Sequence, residues 1–528
     1  MKIVWVNARP LLSTSGCKMG LEPFHLLPMH HIAKRYGHES VVVPALDPNM
    51  IKGLKPDVVG LSYVGHDVED IARGRRFIES FPSERRPRVL LGGSDMRFHG
   101  KKYLEVLGDL FPPEAYDALT IVVGPGEGVI EALAPHDFSI IKKDNFNGLP
   151  IETMTMSNGR VILFGSKGIP LAEQDFTRPW HDLQRFANAA QLKLATGCAH
   201  SCGFCTNEPE KADYRTVPQA KADVREAIGL GAIRGEIAAA NFLANPQKGT
   251  EILLAAGRCL PLFYSSRVDS LYRAITRWPS AWRKIRKWGH EIELGIESVL
   301  PLRLLRIGKH KRIDAAIHQN ERLDRILGFF RRSNTKIEAD LIMFDPGMWL
   351  GELVTEVEVL QSLQAKYSNF IIHAGSVVNR LAYKPGSPLV EERKMQQIDF
   401  WNYQRDPRCL LLALVMHKLT WDIYSNFFVN RYLEEAVSSR MLEYTHCSAL
   451  ALQKISPNQF ALGPILAKTE DSGQSEVDVL EVLFSQMQRS DRVALDEMFE
   501  NMRYHFFPEF FSRPQQGLMG SIRKLMGL

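Results

Sequence analysis

The sequence predicts an α/β protein in three parts: a doubly wound parallel sheet, then a partial (β/α)6 barrel, then a mostly helical C-terminal part. Three observations carry this prediction. Nearly continuous Val, Ile and Leu runs alternate with amphipathic stretches over residues 1–135. Six further strand-like runs alternate with helical ones from about 190 to 390. Beyond about 395 the apolar spacing becomes helical. Strands that are apolar along their whole length belong in parallel sheets covered by helices on both faces.

The first part contains KIVWVNA (2–8), ESVVVPA (39–45), DVVGLSYV (57–64), RVLLGG (88–93) and TIVVG (120–124), with helical patterns such as Leu26 to Tyr36 and Val68 to Phe81 between them. Ligand is expected at the carboxyl ends of such strands. Residues 141–190 read as a linker with turns at Asn158-Gly159 and Gly165-Ser166. The barrel is expected over 191–392, with strands QLKLAT (191–196), GEIAAAN (235–241), LPLFYSSR (260–267), EIELGIE (291–297), KIEADLIMF (336–344) and NFIIHAG (369–375). Catalytic groups sit at the C-terminal mouth of such a barrel. The boundaries expected are therefore 1–140, 141–190, 191–392 and 393–528.

Length and composition narrow the function. The chain has 528 residues, 45% of them hydrophobic and 24% charged, as in an ordinary globular protein. Its net charge of +5 is a weak excess and argues against a nucleic-acid partner. The basic runs Arg283 to Lys287 and Lys309 to Arg312 read as solvated helix faces. No apolar run reaches the roughly 18 residues of a membrane span. MKIVWVNARP begins directly as a strand, so a cytoplasmic location is expected. Seven cysteines make a disulfide framework improbable.

KLATGCAHSCGFCTNEPEK, residues 193–211, holds Cys198, Cys202 and Cys205 in a C-x3-C-x2-C run. The run follows the first barrel strand and a Thr196-Gly197 turn. Clustered thiolates select an iron–sulfur cluster or zinc. Zinc usually takes four closed ligands. His200 is too close in sequence to complete such a site, and Cys259 could do so only if the fold brought it near. A [4Fe–4S] cluster with one iron left open is the favoured reading; a zinc site and a purely structural cluster stay as alternatives.

Cys198-x3-Cys202-x-Phe204-Cys205 at the end of a first barrel strand resembles the signature of the radical S-adenosylmethionine (SAM) enzymes. The resemblance implies that SAM binds the open iron and that cleavage of its C–S bond gives a 5′-deoxyadenosyl radical. It also implies an external electron donor of flavodoxin or ferredoxin type. Phe204 holds the aromatic position of the signature, either packing the cluster or facing the core. Later motifs follow in order. Glu293-Leu294-Gly295-Ile296-Glu297-Ser298 with Lys309 is similar to the fourth-strand motif of the cobalamin-associated branch, which implies that Glu297 and Ser298 meet the SAM amino group and ribose. Arg267-x-Asp269, Phe344-Asp345-Pro346-Gly347 and Tyr383-Lys384-Pro385-Gly386-Ser387-Pro388-Leu389 resemble the third-strand, fifth-strand and barrel-closing segments, and the resemblance implies that Arg267 and Phe204 belong to the SAM site. One departure stands out: Ala239-Ala240 precede Asn241-Phe242, where the branch usually has adjacent acids. Asn241 either takes over their SAM contact or caps a loop.

The first part lacks a G-x-G-x-x-G dinucleotide fingerprint. Lys55-Pro56-Asp57-Val58-Val59-Gly60-Leu61-Ser62, Leu90-Leu91-Gly92-Gly93 and Val123-Gly124-Pro125-Gly126-Glu127-Gly128 instead resemble the landmarks of a Rossmann-like cobalamin-binding (B12-binding) domain. The resemblance implies that Asn7, Arg9, Ser62, Gly92, Gly93, Gly126 and Glu127 line a cobalamin site. No Asp-x-His-x-x-Gly follows the first strand, so the cobalt is expected to lack a protein histidine on its lower face; His66 and His99 are poor substitutes.

The leading function is a cobalamin-dependent radical SAM methyltransferase acting on a carbon of a small molecule, with a natural-product, tetrapyrrole or lipid precursor among the candidates. The same cofactors also serve ring closure, rearrangement or oxygenation. A cobalamin-free radical SAM enzyme and a non-catalytic cobalamin or Fe–S binding protein are further alternatives. Trp401, Tyr403, Trp421, Tyr424 and Phe427 read as core more readily than as pocket, and the tail PEFFSRPQQGLMGSIRKLMGL as a docked or frayed end, with a membrane-surface helix as the lesser alternative.

Overall fold

A computed structural model of the chain describes residues 1–7, 24–43, 47–62, 76–77, 79–82, 86–92, 119–123, 151–155, 161–165, 170–181, 183, 188–205, 209–379, 381, 387–393, 405–426, 431–455 and 489–508. Strands β1 (Lys2–Asn7), β2 (Glu39–Val43), β3 (Val58–Ser62), β4 (Arg88–Gly92) and β5 (Leu119–Val123) fall on the five expected apolar runs. They pair in parallel in the order β2-β1-β3-β4-β5. Helix Leu27–Arg35 covers one face, where Ile32 and Ala33 pack with Ile3, Trp5, Val58 and Leu90. Gly60 has a packing reason. A Cβ there would lie 2.2 Å from the Trp5 ring, so the indole occupies the space a side chain would need.

The chain leaves β1 toward β2 and returns on the other side of β1 as β3. The β1–β3 boundary is therefore the topological switch point, where open α/β sheets bind ligands. Asn7 and Ser62 end these strands as register partners, and Gly92 pairs with Ser62 from β4.

Two strands lie within the stretch expected as a linker. Strands β6 (Ile151–Thr155) and β7 (Val161–Gly165) extend the first sheet, β7 running parallel to β5 and β6 antiparallel to β7. The partner of β7, β5, lies about 40 residues upstream and leaves no local sign. Farther on, Phe176, Trp180 and Leu183 join the core of the second sheet.

That sheet holds β8 (Ala189–Leu192), β11 (Arg234–Ile237), β12 (Leu262–Arg267), β13 (Glu291–Glu297), β14 (Lys336–Leu341) and β15 (Phe370–Ile372), all parallel and in chain order. No β8–β15 pair occurs among the described residues, so the barrel is partial. Leu192, Ile237, Tyr264, Ile292 and Ile337 share one face, buried in the core with the surrounding helices. The alternate positions Glu236, Ser265, Glu293 and Glu338 form a polar inner face. The first expected strand is interrupted: β8 stops at Leu192, and β9 (Ala195–Thr196) turns to pair antiparallel with β10 (Asp213–Tyr214). This two-stranded clasp closes the base of the cysteine loop.

The C-terminal part is helical, with helices Pro407–Asn426, Arg431–Leu452 and Arg489–Phe506. Every residue from Cys409 to Met416 is buried, and all join the core shared with the second sheet. A helix apolar all round must be enclosed on all sides. The tail from 509 lies outside the described residues.

Candidate functional site

The cysteine loop is held by backbone geometry. Gly197 adopts φ +79°, and a Cβ there would lie 2.8 Å from the Lys211 carbonyl, so only glycine fits this turn. The Cys198 carbonyl accepts from Glu210 N at 2.8 Å, and that of Cys202 from Cys205 N at 3.1 Å. The middle of the loop is pinned from two sides. Gly203 N donates to Gly308 O at 2.8 Å, and Leu389 N donates to Gly203 O at 2.8 Å. The fourth-strand and barrel-closing segments thus meet on the cysteine loop. All three thiols are half-buried.

Charged and polar groups from three strand ends converge on them. Asn241, after β11, is 1% exposed. Its amide donates to Ser270 Oγ at 3.2 Å and points at Cys198 Sγ at 3.9 Å, while its Oδ1 accepts from Arg267 N at 3.4 Å. Arg267, ending β12, places one guanidinium NH group 2.7 Å from Cys202 Sγ. Asp269 follows 3.7 Å from the same guanidinium and is bound by Arg322 at 2.6 Å. Burial works to raise the Asp269 carboxyl, yet Arg322 and Arg267 hold it below its ordinary value. Burial pushes the Cys202 thiol up, against the pull of Arg267 and Lys309. His200 is pushed down to about 4 by burial and then by Arg267, so its ring is neutral.

Glu297 closes the site. It ends β13 at φ +59°, past an irregularity in the β13–β14 register. A non-glycine residue there carries strain of a kind that clusters at functional sites. Its Oε1 accepts from Lys309 Nζ at 2.7 Å, and Lys309 also reaches Gly295 O at 3.0 Å. Lys309 is therefore a buried ion-pair partner, not part of the solvated face expected for 309–312. Among the described residues, Arg267 Nε and Glu297 Oε2 are buried without a hydrogen-bond partner. Buried polar atoms almost always have one, so two orphans beside three thiols mark a place built for a ligand.

Ser298 is placed elsewhere. It is fully buried, donates to Glu356 Oε2 at 2.6 Å and accepts from Leu300 N at 3.0 Å. Glu356 in turn binds Arg303 at 2.8 Å, and Arg303 binds Asp345 at 2.9 Å. Asp345 also accepts from Arg306 at 2.8 Å and from Gly347 N at 3.0 Å. The Phe344-Asp345-Pro346-Gly347 turn is thus built around a buried charge network. Sequence reading missed this network because its members are scattered along the chain. Phe204 is half-buried within the loop.

On the inner face of the barrel, Ser265 Oγ donates to Glu293, and His373 pairs with Glu338 at 2.9 Å. Lys193 Nζ donates to Ala238 O at 3.0 Å, and burial lowers its ammonium against the pull of Glu210.

In the first sheet, Asn7, Ser62 and Gly92 line up along one carboxyl edge. Ser62 Oγ lies 3.0 Å from His25 Nε2. A Cβ on Gly92 would meet Val122 only in ordinary contact at 3.7 Å, so no close approach within the protein demands this glycine. Arg9, Gly93, Gly126 and Glu127 lie outside the described residues, as do His66, His99, Trp401, Tyr403 and Phe427 and the side chains of Asn7, Trp421 and Tyr424.

Among the described residues no three His, Cys, Asp or Glu side chains gather where one metal ion could be held.

No protein-family model and no curated protein matches the sequence. Solved structures do match. One is of the radical S-adenosylmethionine methyltransferase TsrM from Kitasatospora setae with tryptophan substrate and the SAM analogue aza-SAM bound, with a TM-score of 0.54 and 15% identity over 75% of this chain and 76% of that one. Another is TsrM with cobalamin and a [4Fe–4S] cluster bound, with a TM-score of 0.50 and 14% identity over 75% of each chain. The likeness is one of fold, over three quarters of this chain.

Proposed function

We propose that this protein is a cobalamin-dependent radical SAM enzyme that transfers a methyl group to a carbon of a small molecule. One observation carries the reading: three thiols on a pinned loop face two orphaned buried polar atoms, Arg267 Nε and Glu297 Oε2. Cys198, Cys202 and Cys205 would hold a [4Fe–4S] cluster. Asn241, Arg267 and Glu297 would hold SAM, the Glu297 carboxylate suiting its ammonium and the Arg267 guanidinium its carboxylate. Ser62, Gly92 and the loops after β1 and β5 would hold cobalamin. When bound, the cluster and SAM supply a radical for hydrogen abstraction, and the corrinoid supplies the methyl group.

The chain's own residues do the positioning. Gly203 and Gly308 fix the loop, so that the thiols are preorganised. Lys309 neutralises one Glu297 oxygen and leaves the other to a ligand. The polar inner face, with Glu236, Glu293 and Glu338, offers hydrogen bonds to a substrate deeper in the barrel. An external one-electron donor of flavodoxin or ferredoxin type would dock near the loop.

The test is oxygen-free purification, reconstitution with iron and sulfide, and extraction of bound corrinoid. Iron near four per chain, retained cobalamin and label transfer from methyl-labelled SAM to a product are expected. A protein that keeps its iron but never retains added cobalamin overturns the methylcobalamin reading.

A further inference from the structure

The β1–β3 crevice holds a ring that the sequence motifs passed over. His25 lies on the turn Phe24–Leu26, anchored by Leu26 and Leu27, both buried. Its Nε2 sits 3.0 Å from Ser62 Oγ, the residue that ends β3. With Nε2–H donating to the hydroxyl, Nδ1 keeps its lone pair, and no described residue bonds it. Metal-binding histidines are held in this way: the second ring nitrogen donates to an oxygen, which fixes tautomer and ring orientation.

Two further features fit. The ring is neutral at pH 7. Crowding by protein is the larger cause and the field of Lys193 the second, together pushing it down to about 4. His25 is exposed, and an imidazole at its ordinary value of about 6.5 is also mostly neutral at pH 7. The field that reaches the ring comes from Lys193, which bonds Ala238 at the carboxyl end of the second sheet.

We propose that His25 is an axial metal ligand: a corrinoid seated in the β1–β3 crevice takes His25 Nδ1 on its cobalt, with Ser62 holding the ring. This rests on the cobalamin reading and departs from the histidine-free lower face implied by the missing Asp-x-His-x-x-Gly. The imidazole lone pair forms the bond and no electron is transferred.

The full chain, loaded without oxygen with cobalamin and reduced to the cobalt(II) state, is read by electron paramagnetic resonance. Each cobalt hyperfine line should be split into a triplet by one nitrogen. Protein grown on histidine with 15N in the ring should show doublets instead, a readout that needs no variant to fold. His25→Gln should lose the splitting while retaining iron on the cysteine loop. Unsplit lines in the unaltered protein overturn the inference and leave the cobalamin reading standing. So does a triplet insensitive to the histidine label, which assigns the nitrogen to the nucleotide base. A chain that retains no cobalamin overturns both.

Discussion

Gly203 and Gly308 meet backbone to backbone. A Cβ on Gly308 would lie 2.7 Å from Gly203 Cα, and Gly308 itself adopts φ +71°. The two glycines are 105 positions apart and come from different motifs, yet each is the reason for the other. Gly308→Ala adds both a backbone clash and a left-handed strain. It should cost about 1–3 kcal/mol and loosen the thiols, so iron content after reconstitution should fall with little loss of helical circular dichroism. Full iron retention would show that the contact does not hold the loop.

Arg267 aims a guanidinium at Cys202 from 2.7 Å. Hydrogen bonds and positive charge at cluster sulfurs raise the reduction potential. Arg267→Gln should therefore leave iron bound but shift the potential, measured by titration with spin-resonance detection, to more negative values. An unchanged potential would reassign Arg267 to SAM alone.

Glu297 and Lys309 form a buried pair, their side chains 8% and 2% exposed. Breaking such a pair leaves one charge uncompensated, at about 3–5 kcal/mol. Glu297→Gln should lower the denaturation midpoint accordingly and abolish SAM binding in equilibrium dialysis. Stability loss with SAM binding intact would make the pair purely structural.

Ser298 separates two readings of the fourth-strand motif. If its hydroxyl serves only Glu356, Ser298→Ala costs about 1–3 kcal/mol for one bond to a charged group and leaves SAM affinity unchanged. A tenfold or greater loss of SAM affinity, about 1.4 kcal/mol, at unchanged stability would restore the ribose contact.

Asp345 makes acid stability testable. Burial alone would raise its carboxyl, but Arg303 and Arg306 outweigh burial and hold it below the ordinary range. A group depressed in the folded state adds stability above its unfolded value of about 3.9, and that stability is lost as pH falls through the folded value. Unfolding free energy should therefore drop below about pH 4, and less steeply in Asp345→Asn. Parallel curves would locate the acid sensitivity elsewhere.

Much of this was legible along the chain because its signals are local. Val58 to Ser62 reads as a buried strand from its own letters, and the cysteine spacing needs only eight consecutive residues. What stayed hidden depends on distant pairs: β7 finding β5, Ser298 finding Glu356, His25 finding Ser62. The positive φ of Glu297 is also invisible in sequence, since the residue type argues against it. Lys309 read as a surface charge because its neighbours Lys311 and Arg312 are exposed, while it alone of the three turns inward.

The helix Pro407–Asn426 shares its apolar surface with the second sheet, in the same core as Phe499 and Phe507. The expected boundary near 393 is thus a change of architecture without an energetic seam. A chain cut there would expose the apolar outer layer of the barrel to water. The barrel and the helices after it are one cooperative unit, and they should melt together in a single transition.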